Sequence, residues 1–387
     1  MAKLGEVCDF YAGTGFPNEY QGKVTGKYPF YKVGDISKNV LEGNRELKTC
    51  ANYVEEDVVQ KLKGSILPPK TIVFAKIGEA LKLNRRAITS CECLVDNNVM
   101  GIKAQNVRLN DEYLFYWLQN LNLSDYSEST TVPSVKKSRL QNIEISVSPL
   151  EEQEKVVSTL NKLSSLILAR KKQLSKLDEL VKARFVEMFG DPVSNPLHWK
   201  KVKLSELADI KIGPFGSLLH KEDYVTGGHP LVNPSHIISG KIIVDNDLTL
   251  AEEKYFELSA YHLKKNDVIL GRRGEMGRCA VVNEEGLLCG TGSLLIRTNG
   301  TVTADYIQKI ISFPTFKKTI EDMAVGQTMP NLNVPIVSNF MIIVPPLSVQ
   351  KNYYDFVERV DQQKQTVQQS LDKLELMKKA QMQEYFG

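Results

Sequence analysis

The chain has 387 residues, 42% hydrophobic and 25% charged, with 49 Lys and Arg against 46 Asp and Glu and a net charge of +3. These values fit two or three ordinary soluble domains, and neither demand nor exclude a nucleic-acid partner, because phosphate neutralisation is a local effect. The sequence has no run of apolar residues long enough to span a bilayer, no basic-then-apolar leader in "MAKLGEVCDF" and no C-x-x-C, so we expect a cytoplasmic location, no membrane, reduced thiols and no zinc site.

Taken in chain order, the sequence says most things twice. "KLGEVCDF" at 3–10 returns as "KLSELADI" at 203–210. "YPFYKVGDI" at 28–36 faces "HPLVNPSHI" at 229–237, and "LPPKTIVFAKIGE" at 67–79 faces "LKKNDVILGRRGE" at 263–275. "VPSV" at 132–135 faces "MPNL" at 329–332, and "SPLEEQEK" at 148–155 faces "PPLSVQKN" at 345–352. "FVEMFG" at 185–190 is answered by the final "MQEYFG" at 382–387. The order is kept while the offset stays near 200, which is the mark of a duplicated half-molecule rather than a short solenoid repeat.

Each half begins with short β-rich runs such as "TIVFAKI" and "DVILG", punctuated by Gly, Pro and Asn. After a Pro-Leu boundary each half continues as a long helical stretch, 150–190 and 347–387, the two equal in length. In the first, Val156, Leu160, Leu163, Ile167, Leu174, Leu177, Val181 and Met188 follow a 4-3 spacing interrupted by Arg170 and Arg184. In the second, Tyr353, Val357, Val360, Val367, Leu371, Leu374 and Tyr385 take the equivalent places, with Lys364, Lys378 and Gln381 as interruptions. A sustained period of 3.5 residues predicts a coiled coil. Between the halves, "DPVSNPLHWKKV" at 191–202 stops the first helix and forms a linker.

No catalytic motif emerges. "NPSH" at 233–236 lacks the second proline and the aromatic residue of an amino-methyltransferase motif, no G-x-x-x-x-G-K-[ST] occurs, and the five histidines have no metal spacing. Two diverged readers joined by helices suit a target with two separated, unlike parts, and duplex DNA is such a target. A non-catalytic coiled-coil scaffold with protein-binding globular ends is the alternative.

The sequence "YAGTGFP", then "YPFYKVGDIS", then a Gly-Glu loop, then "TVPSVKKSRLQNIEISVSPLEEQEKVV" and a helix ending "FVEMFGDP" resembles the specificity subunit of type I restriction-modification systems. The second half repeats the plan, so the resemblance covers nearly the whole chain. The resemblance implies an α+β fold of two tandem mixed α/β target-recognition domains, 1–148 and 191–345, each followed by a spacer helix, 149–190 and 346–387. The helices would pair as an antiparallel coiled coil, giving an internal pseudo-twofold. It also implies a non-catalytic subunit that reads a bipartite, asymmetric sequence in double-stranded DNA and binds no cofactor itself. Modification subunits, two of them given the pseudo-twofold, would dock on it and supply S-adenosylmethionine chemistry, and a restriction subunit would join through the complex.

Three places qualify for DNA contact. "GRRGEMGR" offers Arg272, Arg273 and Arg278 among glycines, and its first-half counterpart offers Lys76, Lys82, Arg85 and Arg86. Arginine can bond guanine bidentately or hold a phosphate. "GQTMPN" supplies Gln327, Thr328 and Asn331, with Thr130 and Ser134 in its mate "STTVPS"; Gln and Asn can pair with adenine. "YAGTGFPN" and "IGPFGS" form the third pair. Glu79 and Glu275, present in both copies, are expected to orient the neighbouring arginines or accept from a cytosine amino group.

Overall fold

The computed structural model describes residues 1–128, 132–324 and 331–387. They form two compact units, Met1–Leu174 with Thr366–Gly387, and Ser175–Gln365.

In the first unit, a four-stranded antiparallel sheet runs in the order Cys8–Ala12, Val99–Ala104, Ile72–Ala75, Arg86–Ile88. Every residue of Ile72–Ala75 is buried, as expected of a central strand that reads as a continuous apolar run. A smaller sheet orders Tyr53–Val54, Tyr28–Tyr31 and Leu94–Val95, the last pair being parallel. The helix Asp111–Asn120 buries Tyr113, Leu114, Phe115, Tyr116, Trp117 and Leu118. Its start is fixed by Asn110, whose side chain accepts from the Glu112 and Tyr113 backbone N–H groups.

The second unit repeats this plan. Its antiparallel sheet runs Ala208–Ile212, Ser293–Thr298, Asp267–Gly271, Cys279–Val281, the same order of equivalent strands. Its smaller sheet carries one more strand: Tyr224–Val225, Thr249–Leu250, His229–Val232, Leu288–Cys289. The duplication is therefore present in topology as well as in sequence.

The recurring Pro-Leu-x-x-Gln phrase has a definite structural task. Gln153 is fully buried; its Oε1 accepts from Asn110 N at 2.8 Å, while Nε2 donates to the Arg108 and Ser148 carbonyls at 2.9 and 2.7 Å. Gln350, equally buried, accepts from Thr303 N at 3.0 Å and donates to the Pro345 carbonyl at 2.9 Å. Asn110 and Thr303 are the N-caps of equivalent helices. In each unit one amide thus joins the start of the long helix to the start of the domain helix.

The long helices are Leu150–Phe189 and Leu347–Phe386, 40 residues each. All the seam positions read from the sequence, the polar interruptions included, are buried or half-buried. In the first unit the Tyr116 hydroxyl donates to Asn161 Oδ1 at 2.7 Å, Lys378 lies 5.5 Å from the Tyr116 ring, and Arg170 Nε donates to Ser370 Oγ at 3.2 Å. In the second, Lys364 pairs with Asp178 at 2.5 Å, and Arg184 lies 5.8 Å from the Phe356 ring. Within each unit the helical segments therefore run antiparallel.

The repeated helix endings are plugs. Phe185 and Phe189, both fully buried, leave the seam for the second unit's core, where Phe189 meets Tyr306 edge-on at 5.2 Å. In the first unit Phe386 meets Tyr113, the counterpart of Tyr306, edge-on at 5.1 Å, and its carbonyl accepts from Asn120 Nδ2 at 3.2 Å. After the first helix, Gly190 takes φ +73° and Asp191 Oδ1 accepts from the Val193 and Ser194 N–H groups, which ends the helix where the proline-rich linker predicts. Among the described residues no helix is long and apolar enough to cross a membrane.

Candidate nucleic-acid interface

The loop after the strand Asp267–Gly271 and the loop after Ile72–Ala75 share one geometry. Gly274 and Gly78 hold φ of +80° and +74°, a left-handed conformation that favours glycine, and each is followed by the shared glutamate. Leu332 N donates to the Arg272 carbonyl at 3.0 Å, and Val135 N donates to the Lys76 carbonyl at 2.9 Å. The residues that follow the second loop pair, Leu332 and Val135, are thus bonded to the first loop pair in both units.

The third pair is tied to the same place. Gly213 N donates to the Ser293 carbonyl, and a Cβ on Gly213 would lie 2.0 Å from the Gly290 carbonyl oxygen. Arg272 N donates to the Gly292 carbonyl, so the stretch 290–293 links both loops. In the first unit a Cβ on Gly13 would lie 1.8 Å from the Asp96 carbonyl oxygen, while Gly13 N and Lys76 N bond the Val99 and Asn98 carbonyls.

The side chains differ in how free they are. Arg273 is exposed and makes no hydrogen bond or ion pair with the described residues. Arg272 is half-buried; its Nε donates to the Leu332 carbonyl at 3.0 Å and its Nη1 to the Thr291 carbonyl at 3.5 Å. Burial, then repulsion from Arg273, lowers its pKa. Arg278 donates to the Pro234 carbonyl and pairs with Glu275 at 3.1 Å, and Lys317 pairs with the same carboxylate at 2.9 Å. Hydrogen bonds from Lys317 and then Arg278 hold the Glu275 carboxyl below its usual range. Glu275 therefore orients Arg278 rather than Arg272 or Arg273.

In the first unit Lys82 pairs with Glu79 at 2.6 Å, and Lys76, Arg85 and Ser134 are half-buried. Arg86 requires a correction. It is 4% exposed, its guanidinium donates to Asn84 O, Asn84 Oδ1 and Leu121 O, and burial pushes its pKa down to about 10. With its donors directed into the fold, Arg86 has no surface to offer a phosphate. Asn331 is half-buried beside Leu332, whereas Thr130, Gln327 and Thr328 lie outside the described residues. Sequence reasoning missed Lys317 and Asn233; the Asn233 side chain accepts from Gly292 N at 3.2 Å. Neither contact shows in the local sequence, where Asn233 stands out only as the start of "NPSH", because the partners are more than forty residues away in the chain.

The sequence model of one family, described as the type I restriction modification DNA specificity domain, matches residues 1–179 and again 196–376. The chain belongs to this family. Among DNA specificity relatives, the MjaVIII specificity subunit of Methanocaldococcus jannaschii is 23% identical over 98% of this chain and 90% of its own length. The EcoBI specificity subunit of Escherichia coli is 18% identical over 93% of this chain and 78% of its own. The crystal structure of the type I S subunit from M. genitalium covers 100% of this chain and 95% of its own, with a TM-score of 0.57 and 16% identity. A chain from a structure concerned with complex assembly of the type I R-M system gives 0.60 at 17% identity, covering 100% and 96%. These two share the fold of this DNA specificity chain.

Proposed function

We propose that this chain is the non-catalytic specificity subunit of a type I restriction-modification complex, reading a bipartite, asymmetric sequence in double-stranded DNA. The observation that carries the reading is the joining of the same loops in both units with different side chains. A duplicated frame with diverged loops suits two unlike half-sites. In the first unit Lys76, Lys82, Arg85 and Ser134 remain the described candidates. In the second they are Arg273 and Asn331, with Arg272 and Arg278 holding the surface in shape.

The segments 1–148 and 191–345 are the proposed readers, and 149–190 with 346–387 the spacer. Modification subunits, two of them, dock on the chain and carry S-adenosylmethionine, and a restriction subunit joins through that complex in the cytoplasm. Methylome sequencing of a host carrying this gene with its modification partner tests the reading. We expect methylated adenine in one split, non-palindromic motif that disappears when this gene is deleted. A methylome unchanged by the deletion would refute the reading and favour a protein-binding scaffold.

A further inference from the structure

We propose that Phe215 is a wedge that enters the base stack of the half-site read by the unit Ser175–Gln365, unstacking one base step. The proposal rests on the DNA-reading function above. A single exposed apolar side chain needs no explanation, and the 56% exposure of Phe215 means little alone. Its mounting and its neighbours carry the argument.

Gly213 is pressed against the Gly290 carbonyl and bonded to Ser293, the Pro214 ring fixes its own φ just before Phe215, and Leu218 N donates to the Phe215 carbonyl across Gly216, whose φ is +64°. A short post anchored at both ends thus holds an apolar ring out to solvent. The same stretch 290–293 bonds Arg272, so the post rises from the base of the cationic loop that carries Arg273. An apolar wedge beside cations is what a protein needs to open a base step while neutralising the flanking phosphates.

The other copy sharpens the point. Phe16, in the matching loop, lies flat on Phe30 with ring centroids 3.7 Å apart, and Lys32 sits 5.3 Å from its ring. That ring is already stacked within its own unit. The wedge is therefore a property of one half only, and the distortion that depends on Phe215 should be confined to one half-site.

The test uses the full complex with its modification subunits and duplexes carrying the motif found by methylome sequencing. 2-Aminopurine is placed at one step at a time in both half-sites. Away from the adenines that the modification subunits flip out for methylation, binding should raise its fluorescence several-fold at one step of one half-site. Phe215→Ala should abolish that rise and weaken specific binding by roughly tenfold, about what one base–aromatic stack contributes, whereas Phe215→Trp should keep the rise and Phe16→Ala should leave it in place. Specific binding without any step that responds to Phe215→Ala overturns the wedge but spares the DNA-reading function. Absence of sequence-specific binding by the wild-type complex removes both. Failure of a folded Phe215→Ala chain to assemble with modification subunits, judged by size-exclusion chromatography, overturns the wedge in favour of a protein contact.

Discussion

Arg272 and Arg273 stand side by side in the sequence, yet only the guanidinium of Arg272 is held by backbone carbonyls, at Leu332 and Thr291. Arg273→Ala should therefore behave as loss of a base reader, costing about 1–3 kcal/mol and relaxing one position of the second half-site. Arg272→Ala should instead loosen the loop, weaken binding on all sequences and speed hydrogen exchange at Leu332. Affinities over a panel of single-base variants, with exchange data on both proteins, check the contrast. The sequence could mark the cationic loop but not this division, because the acceptors of Arg272 lie 19 and 60 residues away. Arg86 misled for the same reason: its acceptors include Leu121, distant in the chain. The thiols were easier to read. Cys8, Cys93, Cys279 and Cys289 are buried, Cys50 is half-buried and Cys91 is exposed. Burial pushes Cys8 and Cys279 up to about 12 and Cys50 up to about 11, so at pH 8 these groups hold their protons and the thiolate that reacts is scarce. A thiol reagent at pH 8 should label Cys91 rapidly in the folded chain and all six thiols in denaturant, as mass spectrometry of the labelled peptides would report.

At the scale of elements, the central strands were legible as short apolar runs between turn residues, and the long helices with their seam as a 3.5-residue period; both signals are local. The Pro-Leu-x-x-Gln phrase was visible as a repeat but its purpose was not. Replacing Gln153 by Leu would leave the Asn110 N–H and the Arg108 and Ser148 carbonyls without their partner, at about 1–3 kcal/mol for each buried group left unpaired. We expect Gln153→Leu to lower the unfolding midpoint of the first unit and Gln350→Leu that of the second, with hydrogen exchange rising around residue 110 or residue 303 respectively. The plugs obey a different logic. The heptad reading placed Met188 and Tyr385 on the seam but passed over Phe185 and Phe189, because they depart from the coiled-coil period to enter a globular core. Phe189→Ala should cost about 3–5 kcal/mol by emptying a fully buried site. Deleting residues 382–387 should raise exchange in the helix Asp111–Asn120, far away in sequence, while leaving Ser175–Gln365 as protected as before. Equal deprotection of both units would show that the ending is no local plug.

At the scale of the whole molecule, chain order and packing divide the protein differently. Reading along the sequence yields reader, helix, reader, helix. The compact units instead change over within the long helices, at Leu174/Ser175 and Gln365/Thr366, so each unit takes in part of both helices. A sequence cannot display this, since membership of a unit is decided by what a helix touches and not by what precedes it. The proposed spacer role makes these changeover points the place to test. Seven residues inserted after Leu174 and seven after Gln365, one heptad in each helix, keep the seam in register. Each helix then lengthens by about 10 Å, at about 1.5 Å per residue. Duplex DNA rises about 3.4 Å per base pair, so the preferred gap between half-sites should grow by about three base pairs. Those base pairs also rotate the second half-site by roughly 100°, at about 10–10.5 per turn, so protein or DNA must twist to follow and affinity should fall. An insertion in one helix alone misaligns the seam and should cost stability without defining a new gap. Selection of bound duplexes from a library with randomised gap length, using the complex with its modification subunits, measures the preference directly. A folded, doubly extended chain that still selects the original gap would rule out a ruler, leaving the helices as a platform on which the modification subunits dock.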